Sequence, residues 1–173
     1  MFNIEYRIST KADGQFIGEM GYYKMICNLN YYGDIFPEDL EDIMGTEYLY
    51  DFMRDIVIIL KELHDKYYVA LSNIESYNLW VEFEKKQNDI SISLTHADKP
   101  DGAKKIEFEI FNRKENETLW RNEKVDFNDF KEQIIASAKE YVKEVKSNNG
   151  YKILSGIDEL EYMINQIEGE NGL

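Results

Sequence analysis

Strict alternation of apolar and polar residues, in short runs closed by turn residues, is the feature of this chain that leaves the fewest folds open. Leu79, Val81 and Phe83 alternate with Trp80, Glu82 and Glu84, and Ile90, Ile92 and Leu94 alternate with Ser91, Ser93 and Thr95. Ile106, Phe108 and Ile110 alternate with Glu107 and Glu109. A period of two puts each set on its own face, so each run predicts a strand with one buried and one wet side. Gln87-Asn88-Asp89 and the stretch with Pro100 and Asp101-Gly102 supply the turns between them. The opening residues behave alike: Phe2, Ile4, Tyr6 and Ile8 alternate with Asn3, Glu5, Arg7 and Ser9, and Lys11-Ala12-Asp13-Gly14 predicts a turn. From about Phe16 to Tyr32 one or two strands are expected, with Tyr23, Met25, Cys27, Leu29 and Tyr31 on one face and Gly18, Gly21 and Gly33 as interruptions. Tyr67 to Ile74 and a short stretch around Leu119 to Lys124 complete the set.

Two segments change to the helical period. Leu49, Phe52, Met53, Ile56, Leu60 and Leu63 recur at spacings of three and four, behind Thr46 as the expected N-cap. Phe127, Phe130, Ile134, Ala138, Tyr141, Val142 and Val145 form a second stripe, capped by Asp126 and ended by Asn148-Asn149-Gly150. Val125 and Phe130 are spaced as a hydrophobic staple across that cap. Pro37 to Met44 predicts a short helix, and Ile157 to Ile167 another, with residues 168–173 as a frayed tail. The resulting expectation is an α+β fold. A mostly antiparallel sheet of five to seven strands carries two long helices and one short C-terminal helix on one face. At 173 residues, 43% hydrophobic and 31% charged, the chain predicts a single globular domain over residues 1–173.

Composition narrows the function. Cys27 is alone, which excludes an internal disulfide and a cysteine zinc site. The longest apolar run, Ile56 to Leu60, is far short of the ~20 residues of a membrane span. Met1 to Tyr6 lacks the basic region and apolar run of a signal peptide, which predicts a cytoplasmic protein. A net charge of −14 argues against nucleic acid as a partner, because phosphate backbones repel such a surface.

No catalytic or metal-binding set is legible. The glycines match neither phosphate-loop spacing, and no nucleophile elbow or paired-histidine motif is present. His64 falls at a helix carboxyl end, where the dipole favours a positive charge. His96 lies near Asp98, but no third partner accompanies the pair. Glu82 with Glu84, and Glu107 with Glu109, are expected as solvated charge on wet strand faces. The chain is thus expected to be no enzyme and to need no cofactor.

What stands out is clustered acid and surplus tyrosine. Residues 34–55 carry eight acids against one base, Arg54, and residues 156–173 carry five acids and no base. Thirteen tyrosines include the neighbours Tyr22-Tyr23, Tyr31-Tyr32 and Tyr67-Tyr68, and in a strand one of each pair points away from the core. Such rings give rigid contact area with a polar tip. A partner-binding surface is therefore expected at Glu38, Asp39, Glu41, Asp42, Glu47, Tyr48, Asp51 and Asp55, with Trp80 as an anchor on the wet sheet face. Glu47, Asp51 and Asp55 recur every four residues and are expected to share a helix face.

The strand Asn78-Leu79-Trp80-Val81-Glu82-Phe83, the strand Ile90-Ser91-Ile92-Ser93-Leu94, and the passage from Trp120 through Val125-Asp126-Phe127 to Phe130 carry a resemblance. In layout the chain resembles the small acidic immunity proteins of bacterial polymorphic-toxin and contact-dependent inhibition systems. That resemblance implies a cytoplasmic, non-catalytic inhibitor bound tightly to one basic toxin domain, nucleases being among the candidates. The competing expectations are an adaptor or regulatory protein unrelated to toxins, and an enzyme of unfamiliar type using His96, Asp98 or the strand glutamates. Alanine at His64 and His96, alone or together, is expected to leave biological activity intact, and chelator treatment is expected to leave the urea midpoint unchanged, because no ligand set is legible.

Overall fold

The computed structural model describes residues 1–10, 16–35, 47–72, 78–110, 112–114, 118–148 and 155–169. Its elements run β1 (Phe2–Thr10), β2 (Phe16–Cys27), β3 (Asn30–Asp34), β4 (Glu47–Tyr48), α1 (Leu49–Asp65), β5 (Tyr68–Ser72), β6 (Leu79–Lys86), β7 (Asp89–His96), β8 (Ile106–Glu107), β9 (Trp120–Asp126), α2 (Phe127–Asn148) and α3 (Ser155–Gly169). The fold is α+β with antiparallel pairing throughout, as the alternation predicts. The strands do not join into one sheet, however. β1-β2-β3, with the two-residue β4 on β2, form the first sheet, and β8-β5-β6-β7-β9 form the second.

The first sheet corrects the reading of residues 16–32. Tyr23, Met25 and Cys27 share a buried face, but Asn28 adopts φ 56 and turns the chain. Leu29 is left 97% exposed and Tyr31 53%, while Tyr32 goes inside. An alternation read straight through a hairpin inverts the faces on its far side. Gly21 is needed where β2 passes under α1. A Cβ there would strike the Arg7 carbonyl and stand 2.8 Å from Leu49 Cδ2.

The helices follow the predicted stripes. Asp126 caps α2, accepting from the Asn128 and Asp129 backbone N–H groups at 2.8 and 3.1 Å. The position before α1 is Tyr48, which makes no side-chain cap, rather than Thr46. Residues 47–48 are drawn into pairing with β2 instead. Thr46, the Lys11–Gly14 turn and the Pro37–Met44 helix lie outside the described residues. α3 continues through Gly169, past the expected start of the tail.

One apolar cluster spans both sheets and all three helices. Tyr23 of β2 stacks on Phe52 of α1 at 3.7 Å between ring centroids. Phe130 of α2 lies 4.7 Å from Phe2 of β1 and 5.8 Å from Phe83 of β6, so one ring touches both sheets. Tyr141, buried on the same helix, donates from its hydroxyl to the Gly18 carbonyl at 2.6 Å. Of the expected core, Phe52, Ile56, Leu60, Phe83, Ile92, Phe130, Ile134 and Tyr141 are buried. Phe108 is not: β8 ends at Glu107, and Phe108 is 45% exposed with the Lys66 ammonium 3.9 Å from its ring centroid. Ile56→Ala is accordingly expected to cost about 2–5 kcal/mol, whereas Phe108→Ala should cost about 1 kcal/mol or less. Urea unfolding of both variants checks the contrast, and equal losses would contradict the burial assignment.

Candidate functional site

The expected acidic surface is only partly available. Tyr48 is 59% exposed at the start of α1. Asp51, one turn on, is partly exposed and lies 3.3 Å from Arg54 Nη1. Asp55 corrects the expectation: it is 2% exposed, not displayed to solvent. Arg54 Nη2 donates to its Oδ1 at 3.0 Å, and the Lys105 ammonium meets its Oδ2. A carboxylate at this position turns inward because two cations accompany it, since a buried charge is costly unless paired. Burial works against the Arg54 charge, but the bond to Asp55 and the nearby Asp55 and Asp51 carboxylates override it and raise its pKa.

Glu38, Asp39, Glu41 and Asp42 lie outside the described residues, as does the Glu47 side chain. In the other acid-rich segment, Asp158 and Glu161 pair with Lys146 at 3.0 and 2.6 Å, and Glu168 pairs with Lys139 at 2.5 Å. Those acids tie α3 to α2.

Trp80 is the second correction. It is 1% exposed, packed with Ala70 and Ala97 and flanked by Tyr68 and Ile110. Its indole N–H donates to the Ala97 carbonyl at 3.2 Å. The wet face predicted for β6 is half covered, because the chain after β7 crosses it on the way to β8 and again on the way back. Backbone bonds from Ala97 to Asn78, from Ser72 to Lys105 and from Lys114 to His96 fasten that crossing.

Beside this cover the same face opens into a polar cleft of about 250 Å³. Glu82, 6% exposed, forms its floor with Ser91, also 6% exposed. Registration explains the grouping. Glu84 lies opposite both Tyr68 and Ser91, and Glu82 opposite Ser93, so all five side chains share one face. The Tyr68 hydroxyl donates to Glu82 Oε1 at 2.8 Å, and Arg113 donates to the same oxygen. Burial, followed by the Glu82 charge and the hydrogen bond to it, pushes the Tyr68 hydroxyl well above its ordinary range, so it remains a donor. Burial opposes the Arg113 charge, but Glu82 outweighs that and raises its pKa.

The far wall comes from β9. Between Ile92 and Leu94 the β7–β9 register slips, and Asn122 in the slipped segment takes φ 55. This bulge points a non-glycine residue into the left-handed region, a conformation often stored at functional sites. The Asn122 N–H donates to Ser93 Oγ at 3.0 Å, and Ser91 Oγ donates to Asn122 Oδ1 at 3.4 Å. Arg121 completes the lining.

Sequence reasoning placed Glu82 and Glu84 on one strand face but read both as solvated. Glu84 is half exposed beside Lys86, at 3.0 Å, whereas Glu82 is enclosed. Arg113 and Asn122 were missed. Arg113 reaches Glu82 from 31 residues away and Asn122 depends on a bulge; neither leaves a periodic trace. Elsewhere, Cys27 is fully buried, and burial with the Glu123 charge pushes its thiol up to about 12, which leaves it inert as a nucleophile. Among the described residues no group of three or more His, Cys, Asp or Glu side chains is placed to hold a metal ion, and no helix is long and apolar enough to cross a membrane.

No family model, curated protein or solved structure matches this chain.

Removing Arg113 strands the Glu82 carboxylate. Because the Arg113 side chain is 43% exposed, water recovers part of the loss. Arg113→Ala is expected to cost about 1–3 kcal/mol by urea unfolding, below the ~3–5 kcal/mol of a fully buried pair. The double variant Glu82→Leu/Arg113→Leu should recover most of that loss. No loss in the single variant would show that the pair contributes nothing.

Proposed function

We propose that this chain is a non-catalytic protein-binding module, an immunity protein that neutralises a bacterial toxin domain in the cytoplasm by direct contact. The surface around the start of α1 makes the contact. The observation that carries this reading is the exposed Tyr48 ring beside the partly exposed Asp51, on a chain of net charge −14. A large aromatic ring at the edge of an acidic stretch supplies contact area, and the charge speeds encounter with a basic partner. The resemblance in layout to small acidic immunity proteins supports the same reading, and a nuclease domain with a basic cleft is a fitting target. Buried Asp55 and Trp80 form no part of this surface; Glu38, Asp39, Glu41, Asp42 and Glu47 stay in it on charge alone.

An adaptor or regulatory protein would use the same surface and differ only in its partner. A separate reading, an enzyme of unfamiliar type, draws on the enclosed Glu82. Against it stands the occupation of Glu82 Oε1 by both Tyr68 and Arg113, which leaves that oxygen engaged rather than poised to take a proton.

The tagged full chain should retain a basic polypeptide from its host at low salt. Asp51→Lys combined with Tyr48→Ala should slow association with that polypeptide by about tenfold at low salt and less at moderate salt. An unchanged rate at both would place the interface elsewhere, and retention of no polypeptide would overturn the binding reading.

A further inference from the structure

We propose that the polar cleft on the outer face of the second sheet binds a neutral, polyhydroxylated ligand the size of one sugar ring. This inference is independent of any protein partner.

Size is the first constraint. At about 250 Å³ the cleft is smaller than the roughly 300–1,000 Å³ of sites for drug-sized molecules, so one ring suits it better than an extended molecule.

Charge is the second. Two carboxylates, Glu82 and Glu84, and two guanidinium groups, Arg113 and Arg121, line the cleft, so its charges balance; Glu82 pairs with Arg113, and Glu84 with Lys86 at 3.0 Å. An ionic ligand meets charges of both signs in this lining, and one that drew Arg113 away would strand the enclosed Glu82, which is strongly unfavourable. A hydroxyl group requires no such exchange. It donates and accepts at once, so it bonds to a carboxylate oxygen and a guanidinium N–H of one pair together.

Hydrogen-bond capacity is the third. Ser93 Oγ accepts from the Asn122 backbone, which leaves its own proton for a ligand. Asn122 Oδ1 takes the Ser91 hydroxyl, which leaves the Asn122 amide N–H groups for the same purpose. Ser93 is paired with Glu82 in the β6–β7 register and Asn122 lies on the next strand, β9, while the half-buried Tyr68 ring offers an apolar edge to the carbon face of a sugar. The left-handed backbone at Asn122 fits this assignment, because the bulge brings the amide into the lining.

Amide NMR titration of the full chain tests the proposal. The probes are glucose, galactose, mannose and N-acetylglucosamine, with acetate, inorganic phosphate and glycine as ionic controls. At least one sugar is expected to give saturable shifts centred on Ser91, Ser93 and Asn122, with no response there to the ionic controls. Asn122→Gly keeps the left-handed backbone while deleting the amide, and should weaken sugar binding by about tenfold. Should that variant fail to fold, Glu84→Ala, at a partly exposed position, gives the same readout. The proposal is overturned by the absence of saturable shifts with every sugar, by a response confined to ionic probes, or by sugar binding that the variants leave unchanged.

Discussion

The two sheets share no strand, and their joint burial depends on the ring of Phe130. It sits on α2 between Phe2 of the first sheet and Phe83 of the second. Each aromatic pair contributes about 0.5–1.5 kcal/mol beyond the apolar area it buries. More consequential is its position. α2 begins directly where β9 ends, so the cap at Asp126 fixes the first turn that points Phe130 inward. Local capping chemistry thereby sets the relation between elements distant in sequence. The hairpin of the first sheet adds a polar clasp on the same side: Asn28 and Asn30 donate to the Glu123 carboxylate of β9 at 2.7 and 2.8 Å.

Charge is spent unevenly over this frame. Net charge counts residues, but a surface field depends on which charges remain exposed and unpaired. Asp55 is enclosed between Arg54 and Lys105, which joins α1 to the segment preceding β8. Asp158, Glu161 and Glu168 of α3 are bridged to lysines of α2. Exposed bridges of this kind add little stability, about 0–1 kcal/mol each, but they lower the acidic field on that side. Among the described residues an exposed aromatic ring stands in each acid-rich segment, Tyr48 at the start of α1 and Tyr162 on α3, and around Tyr162 three of the acids are bridged to lysines of α2.

The outer face of the second sheet divides into two environments. Over Trp80 the crossing chain excludes water and leaves an apolar patch with Ala70 and Ala97. Beside Arg113 the carboxylate, hydroxyl and amide groups of neighbouring strands are grouped around a cavity. A buried ion pair is seldom the most stabilising choice for its volume, since desolvation offsets much of the attraction. Glu82 and Arg113 are better accounted for by the cleft they shape than by the stability they add.

Local periodicity in the sequence determined the secondary structure and most of the core. The alternation at 79–84 and 90–94 and the stripes of α1 and α2 each repeat a pattern that only one burial geometry satisfies. It also determined that Glu82 and Glu84 share a face, and that Asp126 starts a helix. Tertiary structure alone decided that the strands form two sheets, that Phe108 emerges, and that Trp80, Glu82 and Asp55 are enclosed. The three enclosures turn on an irregular segment folding back over a regular one: Ala97 and Ile110 onto Trp80, Lys105 onto Asp55 of α1, and Arg113 onto Glu82. Periodicity records which residues lie on the same side of an element. It carries no information on what covers that side, because the covering contacts come from far along the chain and are set by packing rather than by any repeat.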